Sequence, residues 1–512
     1  MNSRPTFARE LLKRLQDEQT RRFSRTVERA GLPEYNVEDA SDINLLFSRS
    51  TPISFCLGTG ADIYDNVLIP SILSAKFEVI LVTCFWARSK TQSALSDALS
   101  ELSRRRRTAI EHQLSNGGPL IPVLRIRICL SSLSILQKLF HTSSRDGYVY
   151  PPSSWPSALG LPDESLLATA RIDLQVKSLF FLPFSVMHPK FLIVDQTRAF
   201  VPSCNVSWES WLEGCVGISG DAVAGLHSFY SRTWEGPSFR TRFTANESVG
   251  DRVSGLNESL GHAVLATGLD IPSEPIETII LPSSHHRNPR FHPFPWQAAP
   301  TAPRTALNLA MLQLVADAQN KIYIQTPNFT SQPVLSALLA ALERGVDVVI
   351  VTSRNMMLLE QLVTAGTTTS WCLRSLIQKF CRMASSNRRP RASGGYDTLD
   401  QLEAQLPATG HLRISYYRPP PGGRKSHLPP AGAPFSEDPL QSHLKLTIVD
   451  GGFTLLGSGN MDRASWFTSQ ELGVLFCDQR FAATVQDHVS TALNNRLELI
   501  FDSRTDARCR SL

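Results

Sequence analysis

The sequence lacks any apolar run that approaches the ~18 residues needed to cross a bilayer. Its most apolar stretches, 77–87 and 179–187, have the length of strands. The N-terminal segment carries Glu10, Asp17 and Glu18 among its arginines and has no apolar h-region, so neither a secretory signal nor a transit peptide is recognised. These features predict a cytoplasmic protein, or one that attaches peripherally to a membrane surface.

Cysteine patterning and a strong excess of one charge are also lacking. The nine cysteines are odd in number, widely spread and never arranged as C-x-x-C, which argues against a disulfide framework and a zinc ribbon and makes a reducing compartment the default. Lys and Arg number 51 against 46 Asp and Glu. Because this excess of positive charge is small, a general nucleic-acid-binding surface is disfavoured, but a local anion-binding site remains compatible with it.

What the sequence does contain is an internal repeat. A helix-like stretch runs into an apolar strand at 78–83 and again, about 243 residues later, at 321–326. Each strand is followed by a second helix-like segment and a second apolar strand: 91–102 and 124–129 in the first copy, 332–343 and 346–351 in the second. The order α, β, α, β is typical of a mainly parallel sheet.

A more specific pair of motifs follows in each copy. The pattern H-x-K-x-x-x-x-D occurs twice, 255 residues apart, as His188, Lys190 and Asp195 and as His443, Lys445 and Asp450. Each motif is followed at the same distance by Ser-x-Asn and later by an acid: Ser203, Asn205 and Glu213 in the first copy, Ser458, Asn460 and Glu471 in the second. A tandem duplication with matched chemistry is the simplest explanation.

The repeat and the changes in composition divide the chain. We predict a helical N-terminal extension over 1–50, a first domain over 51–280, a linker rich in proline, serine and histidine over 281–304, and a second domain over 305–512. An irregular insertion at 384–439 interrupts the second domain just before its motif.

Strand geometry places the motif side chains. Because side chains alternate faces along a strand, the histidine and the lysine of each motif, two residues apart, point the same way. Asp195 and Asp450 lie an odd number of residues from their histidines, beyond four apolar residues. We group them with the catalytic motif, but this position predicts that they hold a turn at the far end of the strand.

Two such sets in one pocket suit phosphoryl chemistry. Lys190, Lys445, Asn205 and Asn460 would hold the anionic oxygens of a phosphodiester. One neutral imidazole can attack phosphorus to form a phosphohistidine, while the second, protonated, donates to the leaving alkoxide and then activates water or an acceptor alcohol. The scheme requires no metal and no other cofactor. Three tryptophans after the Ser-x-Asn segments could line an apolar slot or simply pack in the core: Trp208, Trp211 and Trp466.

These residues resemble the phospholipase D superfamily, whose members carry two H-x-K-x-x-x-x-D motifs. The segment 457–474 is most similar to bacterial cardiolipin synthases and related phosphatidyltransferases, and the resemblance extends over roughly 58–478. It implies an α/β fold of two similar lobes, each a mixed sheet flanked by helices, with both motifs in one cleft at the lobe interface. It also implies a ping-pong mechanism.

In that mechanism the resemblance makes His188 the nucleophile and His443 the general acid. It further implies that the motif lysines and the Ser-x-Asn segments bind the substrate, and that a downstream acid, Glu213 or Glu471, orients each imidazole. The sequence departs from the family pattern at Pro202, where the family usually has glycine, so the first phosphate pocket could be shaped differently. The spacing from histidine to acid also differs, at 25 residues in the first copy and 28 in the second.

The leading hypothesis is a phospholipid phosphodiesterase or phosphatidyltransferase with water or an alcohol as acceptor. It would work at a membrane surface and as a monomer, because the duplication supplies both halves of the site. The alternative is a nuclease of the same superfamily, which would need a basic groove leading to the cleft and is disfavoured by the modest net charge. A third class, a relic that only binds, would be expected to have lost a motif histidine or lysine, and all four are present.

Overall fold

The computed structural model describes residues 6–23, 45–134, 137–138, 141, 146–181, 185–236, 272–283, 302–388, 409–419 and 438–506. Within these ranges a mixed sheet of 17 strands is flanked by helices, and two further short strands form a separate sheet. The helices are α1 Thr6–Phe23, α2 Gly60–Ile63, α3 Ile69–Leu73, α4 Lys90–Ser115, α5 Glu164–Thr169, α6 Ala222–Trp234, α7 Ala306–Asp317, α8 Gln332–Glu343, α9 Leu358–Ala365, α10 Thr369–Arg388, α11 Arg463–Phe467 and α12 Gln479–Ala492. Short π-helical and 3₁₀ turns occupy Tyr64–Leu68, Pro152–Ser154 and Trp155–Leu159.

The strands divide into two sets with the same connectivity. In the first half they are β1 Phe47–Gly58, β2 Glu78–Phe85, β3 Leu124–Ser132, β4 Tyr148–Val149, β5 Ile172–Ser178, β6 Phe180–Phe181, β7 Ser185–Val186, β8 Phe191–Val194, β9 Arg198–Pro202 and β10 Trp211–Gly220. In the second half they are β11 Ile276–Ser283, β12 Lys321–Thr326, β13 Asp347–Ser353, β14 Leu412–Tyr417, β15 Gln441–Ser442, β16 Leu446–Val449, β17 Phe453–Gly457, β18 Glu471–Cys477 and β19 Leu497–Asp502.

The sheet is pseudo-symmetric about its middle. In the first half β5, β3 and β2 are parallel, and β8, β9 and β10 continue the sheet in antiparallel pairs. In the second half β14, β13 and β12 are parallel, and β16, β17 and β18 follow in the same way. The antiparallel pair β1–β11 joins β10 to β18 and so connects the two halves.

The motif strands lie in the interior of the sheet. Phe191 and Ile193 of β8 pack into one apolar core, which also contains Leu446 and Ile448 of β16. The alternate residues of β8, Leu192 and Val194, pack into a second core on the other face. Because β8 is buried on both faces, its sequence is a continuous apolar run. Packing on both faces fixes the position of the strand, and with it the position of the motif residues His188 and Lys190 just before it.

The motif aspartates lie at the far end of these strands, at a turn. The Asp195 carboxylate accepts backbone N–H bonds from Phe77 at 2.7 Å and Glu78 at 2.9 Å, and Asp450 accepts from Asn320 at 2.8 Å and Lys321 at 2.9 Å. Both aspartates have a positive φ, near 50°, as asparagine and aspartate tolerate in turns. Each aspartate thus ties the start of one strand to the end of its neighbour, and its grouping with the catalytic residues stays a prediction.

This arrangement gives a stability prediction for Asp450→Ala. We expect the free energy of unfolding to fall by about 2–4 kcal/mol, because three backbone N–H groups lose a charged acceptor. Turnover by the protein that remains folded should fall less than about tenfold, since the residue lies outside the cleft. Urea unfolding and activity measured on the same sample test both parts. The matched control is Asp478→Ala, which removes a cap on the single N–H of Phe481 and should cost only about 1 kcal/mol.

The predicted domain division falls partly on residues outside the described ranges. Helix α1 lies in the predicted extension, but β1 already begins at Phe47. In the predicted linker, Leu281–Ser283 complete β11, and 284–301 lie outside the described residues. In the predicted insertion, 389–408 and 420–437 lie outside them, whereas β14 lies inside the insertion and is a regular strand of the sheet. The division itself stays a prediction.

The state of the cysteines and the presence of membrane-spanning helices can both be compared with the structure. Seven of the described cysteines are free, but Cys381 is disulfide-bonded, which does not fit the expectation of a wholly reduced chain. No helix in the described part of the chain combines the length and the apolarity required to cross a membrane.

Candidate active site

The two motifs meet where the halves of the molecule touch. The backbone N–H of His188 donates to Gln470 O at 2.9 Å, and Gln470 N donates to Val186 O at 2.8 Å. The second motif is held in the same way, because His443 N donates to Leu212 O at 2.9 Å. Each histidine therefore lies against the strand that carries the downstream acid of the other copy.

The imidazoles are paired crosswise with these acids. His188 Nδ1 lies 2.8 Å from Glu471 Oε2, and His443 Nδ1 lies 2.8 Å from Glu213 Oε1. The imidazole of His188 is 14% exposed and that of His443 only 3%. Neither acid orients the histidine of its own copy, so the unequal spacing within the copies, 25 and 28 residues, has no bearing on the geometry.

The two Ser-x-Asn serines hold the acids. Ser203 Oγ donates to Glu213 Oε2 and accepts the backbone N–H of Gly214 at 2.9 Å. Ser458 Oγ donates to Glu471 Oε2 at 2.5 Å and likewise accepts the backbone N–H of Leu472 at 3.0 Å. These contacts favour a positioning role over the predicted substrate contact. Sequence reasoning missed Ser465, which donates to Glu471 Oε1 at 2.6 Å.

Burial controls the charges in the cleft. Burial lowers the pKa of His443 to about 4 although Glu213 opposes the shift, and burial also lowers the pKa of His188 against the effect of Glu471. Burial alone would raise the pKa of both acids, but the adjoining imidazole and hydroxyl groups bring it below its ordinary value. At neutral pH the cleft therefore holds two carboxylates and two neutral imidazoles.

The motif lysines lie beside their own histidines. Lys190 Nζ donates to His188 O at 2.8 Å, and Lys445 Nζ donates to His443 O at 2.7 Å. Lys445 Nζ also lies 2.9 Å from each ring nitrogen of His443. Burial lowers the pKa of Lys445 to about 7. An anion beside Lys445 would favour its charged form.

The two asparagines make different contacts. Asn205 Oδ1 accepts the backbone N–H of Phe85 at 3.2 Å. Asn460 Nδ2 donates to Asp462 Oδ2 at 3.0 Å, while Asn460 Oδ1 is buried and has no hydrogen-bond partner in the described part of the chain. Asp462, which sequence reasoning also missed, is buried, and burial raises the pKa of its carboxyl group. No pattern repeated in the first copy could have revealed it.

The backbone before the serines also differs between the copies. Gly457 has φ +151°, and a Cβ there would lie 2.2 Å from Leu472 O, so only glycine fits. Pro202 pairs with Cys215 in the β9–β10 ladder, as Gly457 pairs with Gly473 in the β17–β18 ladder, but its ring excludes a positive φ. The departure noted in the sequence therefore corresponds to a real difference in the path of the two segments.

The three tryptophans have three different environments. The Trp211 ring lies 4.8 Å from the His443 ring, between centroids, so it covers one face of the imidazole. Trp466 is buried in the core. Trp208 is 62% exposed and contacts Phe85 edge-on. Only Trp211 touches a motif histidine among these three.

Comparison with known proteins finds a family model that matches the second half of the chain and a solved structure with a similar fold. A family model described as "Cardiolipin synthase, PLD-like domain" matches residues 311–493, which include His443, Lys445 and Glu471. The fold is similar to the crystal structure of phosphatidylserine synthase from Haemophilus influenzae Rd KW20, with 14% identity over 90% of this chain and 91% of that chain and a TM-score of 0.50. The matched part of the chain, 311–493, therefore carries the pattern of a phospholipase D-like domain.

Two further solved structures show a weaker similarity to this chain. Nuc from Salmonella typhimurium, a phospholipase D family member, shows 18% identity over 38% of this chain and 91% of its own, with a TM-score of 0.24. Polyphosphate kinase from Porphyromonas gingivalis shows 9% identity over 87% of this chain and 48% of its own, with a TM-score of 0.41. No curated protein matches the sequence significantly. The predicted fold, a duplicated α/β structure with mixed sheet and flanking helices, is confirmed.

Proposed function

We propose that this protein is a phospholipid phosphodiesterase or phosphatidyltransferase that works through a phosphohistidine. The observation that carries the proposal is the crossed arrangement of two imidazoles, each held at Nδ1 by a buried glutamate of the other copy. This contact leaves both Nε2 atoms outside the glutamate pairs, and that of His443 lies 2.9 Å from Lys445 Nζ. It also supplies a fixed negative charge for each imidazolium that forms during the reaction.

In the first step His188 acts as the nucleophile. Its imidazole is more exposed than that of His443, so substrate can reach it more easily. Its Nε2 attacks phosphorus, the P–N bond forms, and the P–O bond to the leaving alcohol breaks. Protonated His443 donates its proton to the leaving oxygen. Glu471 stabilises the positive charge that develops on His188, while Lys190 and Lys445 stabilise the phosphoryl oxygens.

In the second step water or an alcohol replaces the leaving group. Neutral His443 removes the proton of the acceptor, whose oxygen attacks phosphorus as the P–N bond breaks. His188 returns to its neutral form and His443 to its protonated form. Burial lowers the pKa of His443 to about 4, and the negative charge of a phosphodiester beside the imidazole would raise it again, which His443 needs in order to act as an acid at neutral pH.

The lipid substrate is supported by the matching family model, which is named for cardiolipin synthase. Both crossed contacts form within one chain, so we further propose that the monomer is active. We place the protein in the cytoplasm or at a membrane periphery, as expected for an enzyme that reaches headgroups from the aqueous side.

A product assay tests the function. The protein is incubated with mixed phospholipids and a little ethanol in EDTA, and separately with single-stranded and duplex DNA. We expect phosphatidic acid or phosphatidylethanol, with no loss of rate in EDTA because no step of the scheme uses a metal. The nuclease hypothesis would replace this proposal if DNA were cleaved while phosphatidylcholine, phosphatidylethanolamine and phosphatidylglycerol stayed intact.

A further inference from the structure

Helix α9 shows an inverted distribution of polar and apolar residues. Its only buried residue is the polar Gln361. Its large apolar residues point away from the protein: Leu358, Leu359, Leu362 and Val363. Leu359 is the extreme case, with 76% of its surface exposed. A helix that stabilises a fold in water buries its apolar stripe, so this apolar face has another purpose.

The polar side of α9 attaches it to the protein. Gln361 Oε1 accepts the backbone N–H of Thr369 at 2.6 Å, and Gln361 Nε2 donates to Met356 O at 2.6 Å. Thr369 Oγ1 in turn accepts the backbone N–H of Phe329 at 2.9 Å. These contacts fix the orientation of the helix, so that its leucines are held in their exposed positions.

The neighbouring helix α10 adds an aromatic ring and cations. Trp371 in its first turn is 59% exposed. Arg374, Lys379 and Arg382 follow on the exposed face, and the segment Thr369–Arg388 contains no acidic residue. The opposite face packs into the core through Leu373, Leu376, Ile377 and Phe380. The outward face is thus aromatic at one end and cationic along its length.

Both helices adjoin the cleft. Arg463, three residues after Asn460, donates its backbone N–H to Thr330 Oγ1 at 3.1 Å and its Nη1 to Thr364 O of α9 at 3.4 Å. The Glu360 carboxyl of α9, which is exposed on the helix, lies within electrostatic reach of Asp462 and Glu471 in the cleft. A body that rests on the exposed face of α9 therefore lies beside the reacting groups.

We propose that the exposed faces of α9 and α10, which we call the α9–α10 surface, dock on an anionic phospholipid bilayer and hold the cleft against the headgroups. This inference rests on the proposed function and names the surface by which the site meets its lipid. Leucines and a tryptophan enter the interfacial region, while the cations of α10 contact anionic headgroups.

The composition favours a bilayer over other partners. A nucleic acid would use the cations but gain little from the leucines, which carry no charge and no stacking surface. A protein partner would match the leucines, but it would need acidic groups along the whole cationic face of α10. A bilayer that contains anionic lipid satisfies both halves of the surface at once.

Vesicle flotation with the full chain tests the proposal. The vesicles are phosphatidylcholine alone and phosphatidylcholine mixed with phosphatidylglycerol. Leu359→Gln combined with Leu362→Gln should weaken binding to both by about tenfold or more, because two apolar side chains leave the interface. Arg374→Gln, Lys379→Gln and Arg382→Gln together should weaken binding to the anionic vesicles by about a hundredfold and leave binding to phosphatidylcholine unchanged.

The matched control is Leu114→Gln combined with Leu120→Gln, which replaces two equally exposed leucines elsewhere and should leave binding unchanged. Thermal melting checks that each variant is folded. Unaltered vesicle binding by the leucine variant overturns the proposal, as does a change in oligomeric state or DNA binding without a change in vesicle binding.

A second measurement separates this inference from the proposed function. Hydrolysis of a water-soluble phosphodiester should be unchanged in the leucine variant, while turnover of vesicle lipid falls in parallel with binding. If vesicles bind through this surface but no lipid is turned over, the docking inference holds and the proposed function fails. If lipid turns over normally without the surface, the docking inference fails alone.

Discussion

His188→Asn and His443→Asn are each expected to lower phospholipid turnover by about ten-thousandfold or more. Asparagine can still donate a hydrogen bond to Glu471 or Glu213 from the position of Nδ1, but it has no counterpart of Nε2. The buried glutamate keeps a partner, so we expect the unfolding midpoint in urea to change little. Steady-state assays on phosphatidylcholine vesicles, with unfolding curves for the same samples, provide the measurement.

A substrate with a good leaving group separates the two roles. With a nitrophenyl phosphodiester the first step needs no proton from His443, so His443→Asn should release a burst of nitrophenol equal to the enzyme present and then stall. His188→Asn should give no burst, because no phosphohistidine can form. A burst from His188→Asn instead would exchange the two roles, and near-wild-type turnover by either variant would sink the two-histidine mechanism.

The sequence predicted the elements better than the contacts between them. Gln332–Glu343 and Lys321–Thr326 have the predicted bounds, because strong apolar periodicity sets local structure. The crossed pairing could not be predicted, since His188 and Glu471 are 283 residues apart and meet only when the halves pack. The bridging pair β1–β11 is equally non-local.

The serines show the same limit. The resemblance implies that Ser203 and Ser458 bind substrate, whereas in the structure their hydroxyls donate to the glutamates. A sequence pattern gives the spacing along the chain and not the rotamer. Likewise α9 reads as an ordinary amphipathic helix until burial shows that Gln361 faces inward and the leucines outward. Periodicity predicts that a stripe exists, whereas tertiary packing decides which stripe is buried.

The crossed geometry leads to a prediction for the acids. Glu213→Gln and Glu471→Gln should each lower turnover at neutral pH by about a hundred- to ten-thousandfold, because the imidazole loses the charge that orients and stabilises it. Each carboxylate raises the pKa of the imidazole it touches. Each substitution therefore lowers the pKa of the histidine in the other copy, and the two variants should differ in how activity depends on pH.

The sign of each shift follows from the role of that histidine. His188 must be neutral to attack, so Glu471→Gln, which lowers its pKa, should move the acid limb of the rate profile to lower pH and leave the plateau depressed. His443 must be protonated to donate, so Glu213→Gln should move the basic limb to lower pH, and acidification should restore part of the loss. Glu498→Gln, which removes a surface partner of Arg354, is the control and should shift neither limb. If Glu213→Gln moved the acid limb instead, then either each acid would serve the histidine of its own copy or the two histidines would exchange roles, and the burst experiment tells these apart.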